Sequence, residues 1–143
     1  MIRLGENKDI EPGVQLIKKY IKEFNFGKNI EEDNTEYYTG LCDAMIKDKT
    51  VIVSENNNEI DGCLLGYRIP NLLNPNKVQL HILVTWVRED KRGSSIFYRM
   101  NKFLEENIIK KGEEVIYYSL PETNINHNKL GYIEYQKMFI KEK

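Results

Sequence analysis

Between Trp86 and Ser95 the chain reads WVREDKRGSS, which sets Arg88, Lys91 and Arg92 against Gly93, Ser94 and Ser95. An amphipathic run follows directly, so this corner opens a helix. A helix entered through Gly and Ser presents backbone N–H groups that have no carbonyl one turn back, and its dipole adds about half a positive charge there. Such an end receives phosphate well. Gly93 lacks the Cβ that would hold a ligand off the backbone. Ser94 and Ser95 can cap the helix and donate hydroxyls, and Arg88, Lys91 and Arg92 bring mobile cations to the rim. The plain alternative is a strand-to-helix turn with a solvated basic edge, and the corner taken alone fits either.

Proton chemistry points to the chain's two histidines, His81 in QLHILV and His127 in INHN. Imidazole takes and gives protons near neutral pH, so each is a candidate base or acid. An inert, hydrogen-bonded core residue is the alternative for His81, and a surface turn residue is the alternative for His127. Strict alternation places His81 on one strand face with Gln79, Leu83, Thr85 and Val87. Tyr117, Tyr118 and Ser119 are further hydroxyls within reach of such a site. Cys42 and Cys63 are isolated and flanked by apolar residues, which describes buried, reduced thiols; with so few ligand candidates no metal site is expected.

These groups need a frame. The spacing of Val14, Ile17, Tyr20, Ile21 and Phe24 predicts a helix over 14–26 with Pro12 in its first turn and Gly27 as its stop. A second helix begins at Asn34 or Thr35, with Tyr37, Tyr38, Leu41, Ala44, Met45 and Ile46 inward. The period then changes to two. Residues 50–55 and 59–69 read as a hairpin around 56–58, and Gly62 and Gly66 suggest a bulge or a close backbone approach. PNLLNPN reads as a loop. Residues 77–87 are apolar nearly throughout, as a central strand covered on both faces requires. Residues 95–111 form an amphipathic helix with Ile96, Phe97, Met100, Phe103, Leu104 and Ile108 inward, ended by Gly112. Strands over 115–120 and 132–140 follow, separated by a polar connection. With a short opening strand at 2–4, hairpins in the first half and a β-α-β unit in the second, the chain is an α/β (α+β) protein with a mixed sheet.

Composition narrows the function classes. At 143 residues, 41% hydrophobic and 30% charged, the chain suits one globular domain over 1–143. A net charge of −1 argues against a protein that coats nucleic acid. No apolar run approaches the roughly 20 residues that cross a bilayer. The opening MIRLGENKDIEPG carries charges where a signal peptide has its apolar region, so a cytoplasmic protein is expected.

The element order and two motifs resemble the GCN5-related N-acetyltransferases (GNAT), over roughly the full chain. That family's strand end, an aromatic followed by Val, corresponds to Trp86-Val87. Its Arg-Gly-x-Gly-x-Gly corner corresponds to Arg92-Gly93-Ser94-Ser95-Ile96-Phe97, with Ser95 and Phe97 in place of two glycines; members of phage-like type carry Ser-rich corners. Its Leu-Gly-Phe element before the last strand corresponds to Leu130-Gly131-Tyr132. The resemblance implies a mixed, mostly antiparallel sheet of six to seven strands flanked by about four helices. It implies acetyl-CoA, or another acyl-CoA, as co-substrate, with its pyrophosphate on the backbone of Arg92, Gly93, Ser94, Ser95, Ile96 and Phe97. The strand end at Trp86 and Val87 would hold the thioester carbonyl on the Val87 N–H, a hydrogen bond that strengthens as an oxyanion forms. Arg88 would contact pantetheine or phosphates. His81 stands where histone-type members have a Glu base, and His127 where many have a Tyr acid.

The implied activity is direct transfer of an acetyl group to a primary amine on a small molecule or a protein. The acidic residues Glu31, Glu32, Asp33 and Glu36 would suit a cationic acceptor such as a polyamine, an aminoglycoside, a lysine or an N-terminus; a solvated face is the alternative. A catalytically silent module that binds a CoA-like ligand or a protein partner is the competing reading, favoured by Phe97 and the missing Tyr. A nucleic-acid contact at the basic corner is a third, disfavoured by the balanced charge. Pairing through the 132–140 edge would make a homodimer; a monomer fits nearly as well.

Overall fold

The computed structural model describes residues 1–24, 34–118, 125–135 and 141. Within them one sheet runs in the order β1 (Ile2–Leu4), β2 (Val51–Asn56), β3 (Glu59–Asn71), β4 (Asn74–Val87) and β5 (Glu114–Tyr117). The first four strands pair antiparallel, and β5 joins β4 in parallel. The helices are α1 (Ile10–Phe24), α2 (Thr35–Lys47) and α3 (Ile96–Asn107). The mixed, mostly antiparallel sheet is as expected, but the described residues hold five strands and three α-helices rather than six to seven and about four. Residues 132–135 are not strand. The remainder of that expected strand, with Gly27, Glu31, Glu32, Asp33 and Ser119, lies outside the described residues.

The β2–β3 hairpin turns on Asn57 and Asn58, at φ 51° and 62°. Two left-handed positions in succession form the turn that matches strand twist, and Asn tolerates that backbone. PNLLNPN is not a loop. Pro70 and Asn71 belong to β3 and Asn74 to β4, which leaves Leu72 and Leu73 as the tip. The Asn71 Oδ1 accepts the Leu73 and Asn74 N–H groups at 2.8 and 3.2 Å and so closes the turn itself.

One irregularity in β4 decides where the site residues point. Leu65 pairs with Val84 while Gly66 pairs with Ile82, so Leu83 has no partner opposite. A bulge of this kind inverts the in–out alternation beyond it. Leu80 and Ile82 pack in the core under α3, whereas Val84 and Trp86 pack under α1 and α2, and Val87 returns to the α3 side. Strict alternation had grouped His81 with Thr85 and Val87; the bulge carries those two across the sheet.

Each face has its own core. Val14, Ile17 and Tyr20 of α1 and Cys42 and Met45 of α2 cover one face. Contact centred on Cys42 and Met45 leaves Tyr37 and Ala44, both expected inward, exposed. On the other face α3 presents Ile96, Phe97, Met100 and Leu104 to Ile52 and Leu64. It lies so close that a Cβ on Gly62 would stand 2.7 Å from Ile96 Cγ2. The helix stops at Asn107, short of Gly112, whose φ of +81° serves the turn into β5 instead. Cys42 and Cys63 are free and buried, and burial pushes the Cys63 thiol up to about 12.

Candidate active site

The corner is assembled from backbone. After Val87 a short 3-10 turn, Glu89–Lys91, leads to Gly93 at φ +81°. That conformation is open to Gly and strained for other residues, and a Cβ added there would meet nothing within 4 Å, so the space above the backbone is clear. The first helical bond of α3 runs from the Arg99 N–H to the Ser95 carbonyl at 3.0 Å. The Arg92 and Ser94 amides, expected free, donate to the Glu89 and Lys91 carbonyls at 3.3 and 3.1 Å, whereas those of Gly93, Ser95, Ile96, Phe97 and Tyr98 have no backbone acceptor among the described residues. Ser95 occupies the N-cap without a side-chain bond, and the Ser94 hydroxyl accepts the Ile96 N–H at a long 3.4 Å. Phe97 sends its ring inward, 3% exposed, against Tyr117 and His127, and so leaves the outer surface of the corner unobstructed.

The rim differs from expectation. Arg88 is held by Asp90 at 2.7 Å and Glu59 at 3.0 Å, and Arg92 by Glu23 of α1 at 2.5 Å with the Val87 carbonyl at 3.2 Å. These guanidiniums are paired rather than mobile. Trp86 is a core residue under α1, with Lys19 Nζ 5.7 Å from its ring centre. The Arg88 N–H donates to the Asp61 carbonyl at 2.9 Å, which makes Arg88 and Trp86 hydrogen-bonded positions of the β3–β4 ladder. Val87 alternates with them, so its N–H faces away from β3, toward the β5 side. The β4–β5 ladder ends at Ile82 and Tyr117, below that amide.

His81 is 7% exposed and lies under the α1–α2 face. Its ring lies nearly parallel to Tyr67 (centroids 5.2 Å apart, planes at 13°), with Tyr118 alongside (5.7 Å, 27°). Nε2 meets Gln79 Oε1 at 3.2 Å, which places the ring proton on Nε2. Nδ1 then accepts from the Tyr118 hydroxyl at 2.8 Å. Burial lowers the pKa, which favours neutral imidazole.

His127 lies on the opposite face of the sheet, so the two histidines are not brought together. It opens a 3-10 turn, His127–Leu130, and packs edge-on to Phe97 (5.4 Å) and at a tilt to Tyr117 (5.0 Å). Burial lowers its pKa, opposed by a hydrogen bond to the Ile125 backbone. Its Nε2 is buried with no hydrogen-bond partner among the described residues.

The sequence itself matches no protein-family model and no curated protein. Solved structures do match. A predicted acetyltransferase from Clostridium acetobutylicum, crystallised with acetyl-CoA, superposes with TM-score 0.75 at 18% identity over 99% of this chain and 95% of its own. A ribosomal-protein-alanine N-acetyltransferase from Brucella melitensis superposes with TM-score 0.70 at 15% identity, over 100% and 97%. An aminoglycoside acetyltransferase from an uncultured soil sample, solved with sisomicin, reaches 0.65 at 20%, over 100% and 95%. The fold is that of the GCN5-related N-acetyltransferases.

In this GNAT fold the second motif gains a physical explanation. Gly131 takes φ +84° to end the 3-10 turn, and the Tyr132 hydroxyl then reaches α3, 3.1 Å from Asn101 Oδ1. The Tyr117 hydroxyl donates to the same oxygen at 2.8 Å. Asn101, 1% exposed, thus ties β5 and the Leu-Gly-Tyr segment to α3. It was not singled out from sequence, although a polar residue on the apolar stripe of 95–111 is a readable signal. Gln79 shares His81's strand face by simple alternation, whereas Tyr67, its other support, gave no signal, because its role depends on strand pairing. No helix among the described residues is long and apolar enough to cross a membrane, and no cluster of three or more His, Cys, Asp or Glu residues suits a metal ion there.

Proposed function

We propose that this chain is an N-acetyltransferase that moves the acetyl group of acetyl-CoA directly to a primary amine on a small molecule or a protein. The observation that carries the reading is the unobstructed amide corner from Gly93 to Tyr98, with Phe97 turned into the core, on a fold shared with acetyltransferases. Within the corner from Arg92 to Phe97, the amides of Gly93, Ser95, Ile96 and Phe97 would receive the pyrophosphate, and the Val87 N–H, directed away from β3, would polarise the thioester carbonyl. Acetyl-CoA supplies an activated acyl carbon and a thiolate leaving group. His81, kept neutral by burial, is the base for the acceptor ammonium. His127, packed on Phe97 at the first turn of α3, is assigned to pass to the departing thiolate the proton that the attacking nitrogen sheds as the amide forms. The soil neighbour is an aminoglycoside acetyltransferase and the Brucella one a ribosomal-protein-alanine N-acetyltransferase, which supports an amine acceptor here.

Calorimetric titration with acetyl-CoA, followed by thiol release in the presence of polyamines, aminoglycosides and peptides with free amines, tests the reading. Binding together with amine-dependent thiol release is expected. Binding without release of thiol would leave a silent CoA-binding module, and absence of binding would remove both. Gly93→Asp adds a negative charge and a side chain at a left-handed position, so a folded variant should lose about 100-fold or more in acetyl-CoA affinity. Unchanged affinity would dismantle the cradle.

A further inference from the structure

We propose, resting on the transfer reading above, that the group which meets the acceptor amine is the Tyr118 hydroxyl, and that His81 acts through it as the proton's destination. His81 is 7% exposed and both of its ring nitrogens are engaged, Nε2 with Gln79 and Nδ1 with Tyr118. An acceptor can therefore reach the imidazole only by way of its partners. Gln79 is neutral and holds no exchangeable acid–base group. Tyr118 is half-buried, sits one residue beyond β5 and turns its own O–H toward Nδ1 at 2.8 Å, which leaves its oxygen lone pairs for Tyr67 and one further donor. Tyr67, stacked on the imidazole, hydrogen-bonds to Tyr118, an interaction that, after burial and the charge of Tyr118, raises its own pKa. Tyr67 remains a protonated donor that would steady a Tyr118 oxygen in passing a proton. Tyr67 from β3, Tyr118 beyond β5 and Gln79 on the same strand are the groups that contact the ring, and burial alone moves its pKa, so no charged neighbour competes for the proton.

The step balances. The ammonium gives one proton to Tyr118 Oη as the Tyr118 proton passes to His81 Nδ1, leaving a neutral amine, a neutral tyrosine and an imidazolium. The amine nitrogen bonds to the acyl carbon, the C–S bond breaks, and the second nitrogen proton goes to the departing sulfur. His81 later releases its proton to solvent.

The test uses the full chain with an amine that the wild type acetylates. Tyr118→Phe keeps the ring stack and removes the relay; kcat should fall about 100-fold with acetyl-CoA affinity unchanged. His81→Gln should fall by a similar factor and abolish the acid limb of the kcat/KM profile, a change that mere loss of packing would not produce. The double variant should be no slower than either single one, because the two residues act as a unit. Tyr67→Phe should slow turnover several-fold while the limb stays. Turnover by Tyr118→Phe within about threefold of wild type, or a double variant whose loss is the product of the singles, overturns the relay while the transfer reading stands. A wild type silent toward every amine overturns the transfer reading and the relay with it. Nitrogen NMR of His81 in the free protein should show Nδ1 unprotonated, and a protonated Nδ1 would also overturn the relay.

Discussion

The two faces of the sheet each hold one histidine, buried at His81 and half-buried at His127, and the two are built in opposite ways. Under α1 and α2, His81 lies nearly parallel to Tyr67, with both nitrogens bonded. Under α3, His127 meets aromatic edges, and its Nε2 is buried without a partner among the described residues. Burial lowers the pKa of both, so titration alone does not tell them apart. Polar satisfaction does. Two bonds hold the His81 imidazole in one tautomer and one orientation, as proton transfer requires, whereas His127 has the Ile125 backbone bond and is otherwise held by shape.

The largest expected effect probes what holds the α3 face. Leu104 is fully buried in that core, and Leu104→Ala should cost about 3 kcal/mol in urea melts. Phe97→Ala, which removes the ring 5.4 Å from His127, should return the His127 pKa toward its ordinary value and leave that of His81 in place. A parallel rise at His81 would mean that the faces are not independent. Next come the histidines themselves. His81→Phe strands a hydroxyl and an amide and should destabilise by about 2 kcal/mol, whereas His127→Phe removes an unpaired buried acceptor and should stay within about 1 kcal/mol of wild type. Equal losses would break the contrast. The smallest effect is in pH. Each histidine is neutral in the fold but takes a proton in the unfolded chain below about 6.5, so the unfolded state binds more protons there. Stability should be complete above that value and fall as pH drops toward the lowered folded values. Each histidine contributes a slope of at most about 1.4 kcal/mol per pH unit, and His127→Phe should flatten the total. A melt unchanged between pH 7.5 and 5.5 would contradict the shared burial.

Much of the frame was legible because it follows from local rules. The periods of 14–24 and 96–108, the Asn-rich turn at 56–58 and the Gly-Ser entry to α3 depend on neighbours within a few residues. Gly62 and Gly66 announced close approach, and both meet it: a Cβ on Gly66 would stand 2.9 Å from the His81 carbonyl. The site was only half legible. The corner could be quoted from the chain because backbone amides and a left-handed Gly belong to consecutive residues. The pairing of Arg88 with Glu59 and of Arg92 with Glu23 could not be, since those carboxylates come from distant segments.

The sequence by itself determined which elements form, where the amide corner opens and which residues can carry protons, because capping, periodicity and turn chemistry act over a few residues. Only the tertiary structure decided which face each proton carrier occupies and what bonds to it. One unpartnered residue at Leu83 inverts the alternation of β4, and a register shift of that size comes from pairing with β3, which no local pattern in β4 reveals.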